Sequence, residues 1–151
     1  MARATYCLDT SVLVKVLVPE EGSAEATALL RRIVSGGHRL VAPAFAWAEV
    51  GTVLRKKVKA GLLSESEADA RWARFLSLSI DYLEDRRIQE ITWEIAAKFT
   101  LAGMYDAAFL AVSEVSAEDR WNAVELWTAD RELVQSLGQE PPEYVRLLYG
   151  S

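Results

Sequence analysis

The chain holds one cysteine and one histidine in 151 residues. Cys7 therefore has no partner for an internal disulfide, and a zinc site of several Cys and His ligands is excluded. His38 alone rules out acid–base chemistry that needs two histidines. It follows Ser35-Gly36-Gly37 and reads as a loop residue. A Ser or Cys relay through His38 lacks its usual setting, because no Gly-x-Ser-x-Gly elbow occurs. No P-loop and no Gly-x-Gly-x-x-Gly pattern is present either. No apolar run approaches the ~18–20 residues that span a bilayer. The stretch Met1 to Asp9 lacks a signal-peptide layout, since an acid interrupts it early, and the expected location is cytoplasmic. The net charge of −5 argues against broad electrostatic binding of nucleic acid.

Half of the residues are hydrophobic, enough to bury the core of one ordinary domain. Short β-forming runs alternate with helical periodicity. Strands are expected at Thr5 to Leu8, Arg39 to Ala42, Asp81 to Glu84, Val124 to Trp127 and Tyr144 to Leu148. Helices are expected over Ser11 to Val18, Ser23 to Val34, Pro43 to Lys59, Ser64 to Ser79, Ile88 to Leu101, Tyr105 to Val115 and Asp130 to Leu137. Ser64-Glu65-Ser66-Glu67 is a capping box, and Gly36, Gly61 and Gly138 stand where helices stop. The alternation implies a three-layer α/β/α sandwich with a mostly parallel central sheet, one domain spanning residues 1–151. Cys7 lies in an apolar run and reads as inert core.

Most of the 22 acidic residues fall where a solvated face would put them. Four do not. Asp9 directly follows the first strand. Glu49 is the only charge in Ala44 to Gly51, and Asp106 the only charge in Met104 to Val112. Asp130 follows the strand-like Leu126-Trp127-Thr128. Burying an unpaired carboxylate costs several kcal/mol in practice, roughly, so each needs a partner. No Lys or Arg lies between Ala42 and Val53, or between Lys98 and Arg120. In a parallel sheet the loops after the strands gather at one edge, and helices begin there. Four carboxylates can thus converge into a self-repelling cup that a hard divalent cation would neutralise. Read as structure alone, Asp9 and Asp130 are helix N-caps and Asp106 a helix-start residue.

Taken in order, these blocks resemble the PIN domain, and within it the toxin nuclease of VapBC-type toxin–antitoxin pairs. Leu8-Asp9-Thr10-Ser11-Val12-Leu13-Val14-Lys15 is similar to that family's first motif. Pro43 to Lys56, centred on Ala48-Glu49, is similar to its second, and Ala60 to Ser64 to the turn that follows. Tyr105 to Ala111 is similar to its third, and Thr128-Ala129-Asp130-Arg131-Glu132-Leu133 to its last. The resemblance covers the whole chain. One departure is a longer stretch between Asp106 and Asp130, with Ser116 to Ala123 as the expected insert and Glu118 to Asn122 as an exposed loop.

The resemblance implies an endoribonuclease dependent on Mg²⁺, with Mn²⁺ as a second option. Asp9, Glu49, Asp106 and Asp130 would be both catalytic and metal-binding, and hydrolysis would leave a 5′-phosphate and a 3′-hydroxyl. It also implies a homodimer and a cognate antitoxin that offers an Arg to the acidic pocket. Thr10, Ser11 and Thr128 neighbour the acids, and their hydroxyls are candidates to orient the carboxylates. Arg55-Lys56-Lys57-Val58-Lys59 is the only dense basic run. Lys56 stands seven positions beyond Glu49 on nearly the same helix face. That is about 10 Å along the axis. Lys56, Arg55 and Lys15 are the candidate RNA contacts; a solvated helix end favoured by the macrodipole is the plainer reading of the run. Trp72, Phe75 and Trp93 are candidate contacts for a second copy or the antitoxin, or else core. The alternative function is a PIN-like protein-binding module without nuclease activity. An aspartyl-phosphate phosphatase is disfavoured, since Ser11 stands where that chemistry needs a second Asp.

Overall fold

The computed structural model describes residues 3–118 and 123–149. In chain order the elements are β1 (Thr5–Leu8), α1 (Thr10–Leu17), α2 (Ser23–Ser35), β2 (Arg39–Pro43), α3 (Ala46–Lys59) and α4 (Glu65–Leu76). They continue with β3 (Asp81–Leu83), α5 (Arg86–Lys98), α6 (Met104–Ala117), β4 (Val124–Thr128), α7 (Arg131–Ser136) and β5 (Val145–Leu147). The strands form one sheet in the order β3-β2-β1-β4-β5. All four ladders are parallel, with Cys7 opposite both Val41 and Leu126.

β1 is the central strand, and its alternation builds both layers. Tyr6 and Leu8 face one cluster with Val12, Leu13, Leu17, Ile33, Leu54 and Phe75. Cys7 faces the opposite cluster with Val41, Ile95, Phe109, Leu110 and Leu126. Strand side chains point alternately to the two faces, so a strand buried on both sides reads as an unbroken apolar run. The expected α/β/α sandwich is therefore the observed one, with α1, α2, α3 and α4 on one face and α5 and α6 on the other.

Several boundaries differ from expectation. Pro43 does not open α3; it is the last residue of β2 and pairs with Leu83. Proline pushes the preceding residue toward extended backbone, which keeps Ala42 in the strand. The helix starts only at Ala46, so Glu49 lies in its first turn rather than one to two turns inside. α4 ends at Leu76, before the expected Ser79, while its capping box is present as expected. α5 begins two residues earlier than its apolar periodicity suggests, because Asp85 caps it by accepting from Ile88 N–H at 2.8 Å. α6 follows α5 directly, with no strand between them. It delivers the chain to β4, which is parallel to β1, and must therefore run back against the strand direction. That returns its N-terminus, and Asp106 with it, to the edge where the strands end. Of the expected insert, Ser116 and Ala117 are the last residues of α6. Residues 119–122, and with them most of the expected loop, lie outside the described residues.

Candidate active site

The carboxyl-terminal edge of the sheet is where the four singled-out acids stand. Asp9 is buried at the end of β1 and caps α1, accepting from Val12 N–H at 3.2 Å. Ser11 Oγ donates to the same Asp9 oxygen at 2.5 Å, as short as charge-assisted O–H···O bonds become. Ser11 Oγ also accepts from Ala129 N–H at 3.0 Å, which ties α1 to the loop after β4. Asp130 caps α7, accepting from Leu133 N–H at 3.1 Å, and its own N–H donates to Thr128 Oγ1. The plain capping roles of Asp9 and Asp130 are thus real. Each cap bond uses one carboxylate oxygen, and Asp9 also takes a hydrogen bond from Thr128.

Glu49 is half-buried in the first turn of α3, where Thr10 Oγ1 donates to its Oε1 at 2.9 Å. Asp106 lies in the first turn of α6, at the positive end of the helix dipole. Asp106 is itself exposed, unlike the buried Asp9, while the seven residues that follow it, Ala107 to Ser113, are buried.

The acids feel one another. Burial pushes the Asp9 carboxyl from 3.8 up to about 6, against the lowering hydrogen bonds of Ser11, Thr128 and Val12; the charge of Asp106 adds to the rise. Glu49 is raised by burial and by Asp106, opposed by the Thr10 hydroxyl. Asp106 is raised by burial and then by Asp130. Burial is the largest cause in all three; a like charge nearby also disfavours ionisation, and the smaller contributions of Asp106 and Asp130 put the four carboxylates within reach of one another. Among the described residues, none of the four carboxylates forms a salt bridge.

The chemistry of this donor set suits a hard divalent ion: oxygen donors only, mutually repelling, with no cation of their own. As the side chains stand, no three His, Cys, Asp or Glu groups among the described residues close around one point to hold a metal. Mg²⁺ does not demand such a cage, since it usually keeps several waters and binds through one or two carboxylates.

The basic residues separate by environment. Arg55 holds Glu65 through two parallel bonds of 2.7 and 2.8 Å. Lys15 and Lys57 both reach Glu20, at 3.3 and 3.6 Å. Lys56 has no such partner among the described residues, and it lines the same recess as Thr10 and Glu49. Of the three aromatic contact candidates, Phe75 is core at 1% exposure and Trp93 is 69% exposed. Trp72 is half-buried and stacks on Phe75 at 5.4 Å. Three exposed aromatics among the described residues were not singled out for contact, Tyr82, Trp47 and Tyr105, and the last two flank the site. Their positions at the starts of α3 and α6, beside the acids, were the signal available.

Residues 6–135 match the family model described as the PIN domain. This chain belongs to the PIN-domain family. PIN domains are generally nucleases that act on RNA and use divalent metals. This PIN domain also shares its fold with PAE2754 from Pyrobaculum aerophilum, known from a crystal structure. The two are 22% identical with a TM-score of 0.66, over 96% of this chain and 90% of that one. No curated protein matches. No helix among the described residues of this PIN domain is long and apolar enough to cross a membrane.

Proposed function

We propose that the protein is a divalent-metal-dependent endoribonuclease, and that it is the toxin of a VapBC-type toxin–antitoxin pair. The observation that carries the first part is the gathering of Asp9, Glu49, Asp106 and Asp130 with no salt-bridge partner among the described residues, the first three raised by burial and then by a neighbouring carboxylate. A purely structural role gives no reason to gather four carboxylates without a basic partner, because the repulsion is a standing cost.

Asp9, Glu49 and Asp106 would hold Mg²⁺, or Mn²⁺, directly or through waters, with Asp130 completing the negative cup. Such an ion supplies Lewis-acid polarisation of a phosphoryl oxygen and acidifies water. The protein's part is positioning. Ser11 and the Val12 N–H fix one oxygen of Asp9, Thr128 adds a further bond to that carboxylate, and Thr10 fixes one oxygen of Glu49, so both carboxylates are held in a set orientation. Burial of Asp9 lowers the local dielectric and strengthens every charge interaction there. Lys56 meets the substrate backbone about 10 Å along α3 from Glu49. Purified protein should cleave RNA with Mg²⁺ or Mn²⁺, stop with EDTA, and lose at least about a hundredfold of its rate in a folded Asp106→Asn variant. Equal rates for the two proteins would assign the cleavage to a contaminant.

The toxin role rests on the resemblance of the ordered motifs and on a groove suited to a protein partner. That groove, about 550 Å³, lies between α3 and α4 and is lined by Trp47, Gly51, Leu54 and Trp72, with Lys56 and Lys59 among its other lining residues. An antitoxin helix with an apolar face and acidic flanks fits it. A short neighbouring reading frame with a DNA-binding N-terminus, whose product copurifies with this chain and inhibits it, would support the pair. A product that binds without inhibiting would sink it.

A further inference from the structure

One recess beside the acids combines three chemistries that the carboxylate cluster does not use. It has a volume of about 390 Å³ and is lined by Thr10, Phe45, Glu49, Thr52, Lys56 and Tyr105. That size is near the lower end of the ~300–1,000 Å³ of small-ligand sites, room for one nucleotide and not for a helix.

Tyr105 is the anomaly. The residue is 60% exposed although the eight that follow it in the same helix are the site's Asp106 and seven buried residues. It is not loose. Phe45 meets it edge-on with centroids 4.9 Å apart, and Phe45 is braced in turn by Phe109 at 6.0 Å. Phe109 is core, so the exposed ring is anchored through two aromatic contacts to the buried layer. An exposed aromatic held in one orientation costs apolar exposure without gaining burial, which is the arrangement of a platform. The recess this ring lines also carries the Thr10–Glu49 pair and Lys56, which has no ion-pair partner among the described residues.

Resting on the nuclease reading above, we propose that this recess is a nucleotide subsite, in which Tyr105 stacks one base next to the cut and Lys56 takes a neighbouring phosphate. Every base has a π-face, so stacking positions the strand without reading its sequence. It also helps an acidic protein hold a polyanion, because part of the affinity is then independent of charge. Tyr105 and Lys56 are positioning residues in this scheme, and the chemistry stays with the carboxylates. The base must be free of its own stack on one face, so a continuous duplex cannot enter.

The test is fluorescence anisotropy with the full chain and a fluorescein-labelled, unstructured 2′-O-methyl RNA octamer, titrated in EDTA and again in Mg²⁺. The comparison probe is the same octamer in a blunt duplex. Wild type should prefer the single strand. Tyr105→Ala should weaken its binding roughly tenfold, and Tyr105→Phe should retain it. Lys56→Gln should reduce the slope of log K against log salt by about 0.7, the share of one phosphate contact on a single strand. Tyr105→Ala binding as tightly as wild type overturns the subsite and returns the ring to a protein partner. Equal binding of the duplex, or no binding of the octamer at all, overturns it too. Cleavage assays on the same variants separate the two readings. Asp106-dependent cleavage with Tyr105-independent binding leaves the nuclease standing and removes the subsite. Tyr105-dependent binding with no cleavage in Mg²⁺ or Mn²⁺ does the reverse.

Discussion

Replacing Asp9 by Asn should stabilise the metal-free protein at alkaline pH, even though it removes a buried, hydrogen-bonded side chain. Asp9 is 5% exposed, and burial lifts its carboxyl from 3.8 to about 6 in the folded chain. At about 1.4 kcal/mol per pH unit, ionised Asp9 costs the native state about 3 kcal/mol. Because the folded pKa is the higher one, this cost is absent below pH 3.8, grows as pH rises toward 6, and is constant above. Asn still caps α1 by accepting from Val12 N–H and can accept from Ser11, and the charge assistance it loses there is already contained in the folded pKa of about 6. The net gain for Asp9→Asn above pH 6 is then about 3 kcal/mol. Urea unfolding of both proteins in EDTA, from pH 4 to pH 8, measures it. The stability difference should climb between pH 4 and 6 and then level off. Saturating Mg²⁺ at pH 8 should raise only the wild type, by about 2.7 kcal/mol at a hundredfold excess over Kd, and close the gap. A difference that does not change with pH, or a variant less stable than wild type at pH 8, would refute the reasoning.

Ser11→Ala removes both the donor to Asp9 and the acceptor for Ala129 N–H. We expect about 2 kcal/mol of destabilisation by urea titration, with a further rise in the Asp9 pKa by NMR; an unchanged Asp9 titration would mean that the hydroxyl does not hold the carboxylate. Cys7 is fully buried, and its thiol is pushed up to about 12 chiefly by that burial. It should react with Ellman's reagent at pH 8 only after urea unfolding, and fast native labelling would contradict its place in the core. The protein should elute as a homodimer in size-exclusion with light scattering, and a strict monomer at tens of micromolar would remove that expectation.

Much of this molecule is set by local pattern, which is why it is legible without coordinates. Apolar runs of strand length alternate with helical periodicity, and that fixes an α/β sandwich through the period of the backbone itself. One cysteine and one histidine exclude whole chemistries by arithmetic. Acids placed alone on apolar elements are anomalous wherever the chain folds, because burying an unpaired charge is costly in any geometry. Tertiary structure decided what depends on contacts between distant residues. Asp106 reaches the acidic edge only because α6, which follows another helix, must run back to feed a parallel β4. Arg55, Lys56 and Lys15 look alike in the sequence. Glu65 takes the first and Glu20 the third, and Lys56 is left on the Glu49 recess. Nor does periodicity tell a core ring from a platform: Phe75 is sealed and Tyr105 is open because of what packs over them, and packing is a property of the assembled layers.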